Sequence, residues 1–276
     1  DHSFNPIDMT NSAELADLVK SFKPDEIYHL AAYHHSSEDE IGDDLTLFQR
    51  SYDIHVLSLI YTLEAIREHS PQSRLFYAAS SLIFKNSNET TQSELTHFEP
   101  GCIYGITKTS GIHICRYYRN TYNLYSAVGI LYNHESNLRK SGFLSKKIIE
   151  SAIAIKLKQK NELVVGDLNA EVDWGYAPDY VEAFHKILKL DTPDDFIISS
   201  GSAHSAKQFI EVVFDCLQID WSDYVTERPG LIHRKGLKLK GDNRKLMQAT
   251  GWKPKHSFEH FIGKMVEEEF KQYETK

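Results

Sequence analysis

Tyr104-Gly-Ile-Thr-Lys108 carries the sharpest chemical signal in this chain. On a helix, positions i and i+4 share one face, so a phenol and an ammonium would project into the same cleft. A nearby positive charge favours the phenolate and lowers the tyrosine pKa toward working pH. A tyrosine so tuned can serve as an acid or a base. The spacing alone also arises by chance, so its surroundings matter. Upstream, residues 74–79 read as an apolar strand that runs into Ser80-Ser81. A serine at the carboxyl edge of a parallel strand is placed to hold a substrate oxygen beside such a tyrosine. Tyr33-His34-His35 has metal-ligating residue types. Adjacent histidines do not share a helical face, however, and no metal site is expected.

These groups need elements to position them, and the hydrophobic pattern supplies an alternation of helices and strands. Leu15, Leu18, Val19 and Phe22 fall at i, i+3, i+4 and i+7, which predicts a helix over 12–22 ended by Pro24. The same reasoning predicts helices over 45–67, 104–118, 145–158 and 179–190, and near 206–217 and 258–270. Strands are predicted over 27–32, 74–79, 126–131, 163–165 and 196–199. Strand–helix alternation with short connections implies an α/β, doubly wound parallel sheet with helices on both faces.

Composition narrows the function classes. With 41% hydrophobic and 25% charged residues over 276 positions, the chain is an ordinary globular one. It carries 31 basic and 39 acidic residues, which argues against a generally basic nucleic-acid binder. Cys102, Cys115 and Cys216 are too few and too widely spaced for a disulfide scaffold or a zinc cluster, and they suggest a reducing compartment. No apolar run approaches the length of a membrane span. A soluble, cytoplasmic protein is expected, with neither membrane nor nucleic acid as a partner.

Ser81, Tyr104 and Lys108, in that order, resemble the short-chain dehydrogenases/reductases, in particular the extended branch that acts on nucleotide-sugars. Further segments resemble the GDP-mannose 4,6-dehydratase family: Leu131-Tyr-Asn-His-Glu-Ser136 with Arg139 and Phe143, Gly166-Asp-Leu-Asn-Ala170, Asp173-Trp-Gly175, Asp179-Tyr-Val-Glu-Ala183 and Gly251-Trp-Lys-Pro254. Asp8-Met-Thr-Asn11 and His29-Leu-Ala-Ala32 resemble its cofactor-binding half. The likeness runs from about Asp8 to Glu268.

The resemblance implies a Rossmann-like domain over 1–132, rejoined by 173–200, and a smaller, mainly helical lobe over 133–172 and 201–276 that binds the sugar-nucleotide. It implies NADP(H) as cofactor, with NAD(H) as the alternative, and a homodimer or homotetramer. Asp8, Met9, Leu30, Ala31, Ala32, Tyr33, His34, Tyr104, Lys108, His134 and Arg139 match cofactor-contacting positions. Ser81, Tyr104 and Lys108 match the catalytic positions, and Ser81, Asn133, Lys146 and Arg234 are the candidates for holding a GDP-sugar. The family's first element also carries a G-x-x-G-x-x-G phosphate loop. None of the 14 glycines forms that pattern, and the chain starts at Asp1, so it reads as part of a longer protein. The absent part would be about 60 residues, the size of two βα units.

Three departures bear on the chemistry. The family places a glutamate, which removes the C5 proton, where this chain has Ile83. Val172 replaces an arginine that grips the substrate diphosphate, and Arg50 replaces a tyrosine. Arg139, Lys146, Lys147 and Arg234 are the candidates for the missing grip. Glu135 is the nearest carboxylate in the resembling motifs. The expected activity is that of a GDP-mannose 4,6-dehydratase-like enzyme: C4 oxidation, loss of water across C5–C6 and re-reduction at C6. A GDP-sugar C4 reductase or epimerase, favoured by Ile83, is the alternative. A catalytically weakened binding or scaffolding subunit is a third reading, opposed by Ser81, Tyr104 and Lys108.

Overall fold

A computed structural model describes residues 6–33, 43–85, 87–228 and 239–274. Helix α1 (Ser12–Phe22) starts at Asn11, whose side chain accepts from the Ala13 and Glu14 amides, and ends at Lys23 in the left-handed region. Strand β1 (Glu26–His29) follows. It is shorter than the apolar run suggests, so Leu30–Tyr33 form an irregular segment at its carboxyl end.

The long helical stretch expected at 45–67 is interrupted. Helix α2 (Asp44–Tyr52) passes through one π turn (Asp53–Leu57) into α3 (Ser58–His69). Strand β2 (Arg74–Ser80) is buried along its middle and leads into a 3₁₀ turn, Ser81–Phe84. Helix α4 (Ile103–Tyr122) packs on β2 so closely that a Cβ added at Gly111 would fall 2.1 Å from Tyr77 Oη. After α4 come β3 (Ser126–Leu131), β4 (Asn133–Glu135), α5 (Leu144–Lys156), β5 (Leu163–Val165), β6 (Glu171–Tyr176), α6 (Ala177–Leu188), β7 (Asp195–Ile198), β8 (Ala203–Ser205), α7 (Ala206–Cys216), β9 (Val225–Glu227), α8 (Arg244–Thr250) and α9 (Phe258–Glu274).

Strands β1, β2, β3 and β7 form one parallel sheet in that order. The short strands β4, β6 and β8 form a second sheet, and β5 pairs with β9. Helices α1, α3 and α4 cover one face of the main sheet through a core that includes Val19, Leu63, Ile112 and Tyr77. The opposite face is covered by α6 and α8, with Phe184 stacked on Phe76 at 4.4 Å and Leu246 and Trp252 in the same core. A third core joins α5, α7 and α9, and it includes Trp174 of β6. Among the described residues no helix is long and apolar enough to cross a membrane.

Candidate active site

The carboxyl ends of β1 and β2, the first turns of α4 and strand β4 frame the site. Gly105 lets α4 approach the turn after β2, since a Cβ there would lie 2.6 Å from the Leu82 carbonyl oxygen. This contact brings the Ser81 turn against the turn that carries Tyr104. Ser81 opens the 3₁₀ turn and is buried, while the Ser80 hydroxyl caps that turn by accepting from the Leu82 amide. At the start of α4, Cys102 Sγ accepts from the Gly105 amide at 3.4 Å.

Tyr104 and Lys108 share a face, as their spacing predicts. Lys108 Nζ lies 5.7 Å from the Tyr104 ring centre and 5.0 Å from that of Tyr77. It donates to the Ala78 carbonyl oxygen at 2.8 Å. The electrostatics differ from the sequence expectation. Burial pushes the Tyr104 phenol up to about 12, with nearby Cys102 adding to it and Arg139 pulling it down. Burial brings the Lys108 ammonium down to about 7. In a pocket this dry, the desolvation of each charged form outweighs the help each could give the other.

The segment after β1 presents an apolar ledge beside these groups. Leu30 is half exposed, Ala32 is exposed, and Ala31 and Tyr33 are partly covered. His29, buried at the end of β1, shares Nε2 with the Ser58 hydroxyl at 2.9 Å, and its Nδ1 has no partner among the described residues. Asp8 sits at the surface, where the Thr10 amide and hydroxyl both donate to it, and Met9 beside it is partly covered. His34 and Arg234 lie outside the described residues.

On β4, Asn133 is exposed and His134 stacks on Tyr180 at 5.1 Å between ring centres. His134 Nδ1 donates to the Tyr132 carbonyl oxygen at 2.9 Å. Glu135 points inward at 1% exposure, accepts from the Ser145 hydroxyl at 2.6 Å and lies 3.3 Å from Arg139 Nε. The Arg139 guanidinium lies over Phe143 at 3.8 Å. Burial raises the Glu135 carboxyl, against Arg139 and Ser145, which lower it.

One site assignment needs correcting. Lys146 is not offered to a substrate: it is buried, ion-paired with Glu269 of α9, and donates to the Asn137 carbonyl oxygen at 2.9 Å. Ile83 is fully enclosed in the core under α4, with no exposed atom facing the cleft. The structure adds groups that sequence reasoning passed over. His55, on the π turn, lies 5.0 Å edge-to-face from Tyr104. Asp173 Oδ1 accepts from the Ser200 amide and hydroxyl, and its Oδ2 accepts from the Gly201 and Gly241 amides, tying three segments beside the cleft.

The arrangement can hold an alcohol oxygen at Ser81, exchange a proton at Tyr104 and rest a flat group on the ledge at Leu30–Tyr33. Residues 1–265 match the family model described as GDP-mannose 4,6 dehydratase. The chain is 34% identical over 271 residues to "GDP-mannose 4,6 dehydratase 2" of Arabidopsis thaliana, covering 95% of this chain and 70% of that protein. It is 32% identical over 279 residues to the Homo sapiens "GDP-mannose 4,6 dehydratase", covering 94% and 74%. Among solved structures, RMD from Pseudomonas aeruginosa complexed with NADPH superposes with a TM-score of 0.86 at 19% identity, covering 97% of this chain and 88% of that one. A dTDP-glucose 4,6-dehydratase from Bacillus anthracis in complex with NAD gives 0.82 at 19% identity, covering 98% and 80%. At such identities the structural likeness speaks for the fold.

Proposed function

The chain belongs to the GDP-mannose 4,6-dehydratase family, and from that premise we propose that it is a nucleotide-sugar dehydratase of the epimerase/dehydratase group acting on a GDP-sugar. The observation that carries the reading is the convergence of Tyr104, Lys108 and the Ser81 turn at the carboxyl edge of the sheet. A nicotinamide dinucleotide fits the ledge at Leu30–Tyr33, because uncovered apolar side chains there adjoin a buried lysine and the orphaned His29 Nδ1. When bound, it supplies the two-electron acceptor and donor for the sugar, as NADP(H) or NAD(H).

This chain's residues do the rest. Ser81 holds the C4 oxygen, and Tyr104, as the phenolate, takes its proton; Arg139 draws the buried phenol toward that form, and the positive ring of an oxidised dinucleotide would do the same when bound. Lys108 positions the ribose side of the dinucleotide with the ammonium protons not spent on Ala78. Asn133, exposed at the rim, meets the sugar-nucleotide, and Arg139 adds positive charge beside Tyr104. We assign the lobe built on α5, α7 and α9 to the nucleotide, and the exposed aromatic face of α4 to pairing with a second copy.

A second reading, C4 reduction or epimerisation, is favoured by Ile83, which cannot carry a proton and is enclosed in the core. The dehydratase reading requires another base, and Glu135, turned inward onto Ser145 and Arg139, is not offered to a substrate. Incubating the full-length protein with GDP-mannose in D₂O separates the two. Elimination gives a 4-keto-6-deoxy product with one solvent deuterium at C5, which we expect. A 4-epimer with its C6 hydroxyl intact and no deuterium at C5 would overturn dehydration and leave the C4 chemistry standing.

A further inference from the structure

His55 is fully buried on the one π turn of the α2–α3 helix and has no counterpart among the roles assigned above. Single π turns in otherwise regular helices recur at functional sites, because the widened turn re-aims a side chain. Its two ring nitrogens face different elements. The Tyr33 amide, just past β1, donates to Nε2 at 2.8 Å. Nδ1 lies 2.8 Å from Thr107 Oγ1 on α4.

A backbone N–H can only donate, so Nε2 carries no proton, and a neutral imidazole then bears its proton on Nδ1. Thr107 Oγ1 lies 3.1 Å from the Ile103 carbonyl oxygen and 3.0 Å from that of Tyr104, to which its hydroxyl donates, leaving its lone pairs for Nδ1–H. The bonds therefore run one way, from the Tyr33 amide through His55 and Thr107 to the backbone of Tyr104. Both intermediate side chains are fully buried, so water cannot substitute for either.

We propose that His55 is a positioning residue: held as its Nδ1–H tautomer between the Tyr33 amide and the Thr107 hydroxyl, it sets the distance between the segment after β1 and the turn of α4 that carries Tyr104. Those two segments are the ones that must hold cofactor and acid/base group in mutual register. An imidazolium at this place would set an N–H against the Tyr33 N–H and push them apart. An ordinary packing residue would need neither a particular tautomer nor the Thr107 hydroxyl.

The test has three arms on the full-length protein, and only the kinetic arm rests on the reading of the reaction given above. First, ¹⁵N NMR of the imidazoles, with His55 assigned through His55→Gln, should show Nδ1 protonated and Nε2 bare at neutral pH. Second, Thr107→Val removes the hydroxyl at nearly constant volume. It should speed exchange of the Tyr33 amide, one residue removed from the mutation through His55, by about 10-fold or more. Third, with GDP-mannose as substrate, Thr107→Val should lower kcat by about 10-fold or more with KM nearly unchanged, and Thr107→Ser should restore it. An Nε2–H tautomer, an imidazolium, or unchanged Tyr33 exchange in Thr107→Val would overturn the proposal. Wild-type kcat in Thr107→Val would overturn it as well. If the unmodified protein fails to turn over GDP-mannose, the reading of the reaction falls, while the tautomer and exchange arms still decide the role of His55.

Discussion

Replacing Tyr104 by Phe removes one hydroxyl and keeps the ring that meets His55. Turnover should fall by at least about 10²-fold, the lower end for acid–base catalysis. Binding of the nucleotide-sugar, followed by calorimetry, should change little. Wild-type turnover in that variant would remove Tyr104 from the chemistry. His29 gives a prediction about pH. Burial brings its imidazole down to about 3 from 6.5. Between those values the unfolded chain binds a proton that the folded chain refuses, so stability falls as pH drops below about 6.5. Gln at this position keeps a donor for Ser58 and cannot titrate. Urea unfolding at pH 7 and pH 5 should show the wild type losing up to about 1.4 kcal/mol per pH unit more than His29→Gln. Equal losses would mean that His29 is protonated in the folded protein.

At the scale of elements, Gly111→Ala illustrates how context reverses a propensity. In an exposed helix this change stabilises by about 1 kcal/mol. Here the new methyl meets Tyr77 Oη at 2.1 Å, so α4 must lift from β2. We expect a loss of about 1–3 kcal/mol in chemical denaturation, the usual cost of overpacking. Asp173→Asn would turn an amide NH₂ toward N–H donors of Ser200, Gly201 or Gly241. It should cost about 1–3 kcal/mol for the donors left unmatched and speed amide exchange at Gly241. The main helices and sheet strands were legible in the sequence, because each buries a stripe long enough to show its period. Strands β4, β8 and β9 (Asn133–Glu135, Ala203–Ser205 and Val225–Glu227) are mostly polar and show no apolar run, unlike the equally short β5 with its Leu163-Val-Val165, and β6 was hidden inside a motif read only for its residues. Helix α8 was missed because Leu246 is its one buried residue. The π turn is silent, since Val56, Leu59, Ile60 and Leu63 keep a helical spacing through it. For the same reason Tyr104 and Lys108 were readable from their spacing, while His55, whose partners lie on two other elements, was not.

At the scale of the whole molecule, Tyr117 and Tyr122 stand exposed on α4 with their rings 5.8 Å apart, and Arg67 of α3 lies 5.4 Å over Tyr122. If this face pairs with a second copy, light scattering should report a dimer or a tetramer for the wild type and a smaller species for Tyr117→Glu. An unchanged mass would place any interface elsewhere. The way the chain closes on itself has a further consequence. Helix α8 comes after most of the lobe in sequence, yet Leu246 and Trp252 complete the core between the main sheet and α6. The Asn243 amide donates to the Ser199 carbonyl oxygen, and the Lys245 ammonium to that of Asp195. A nascent chain emerging from the ribosome can therefore assemble β1, β2, β3 and β7 long before the last piece of their own covering exists. Until residues 243–252 arrive, apolar surface of Tyr180 and Phe196 stays open to wrong partners, so the speed of translation and the supply of chaperones bear on how much of this protein reaches its native state.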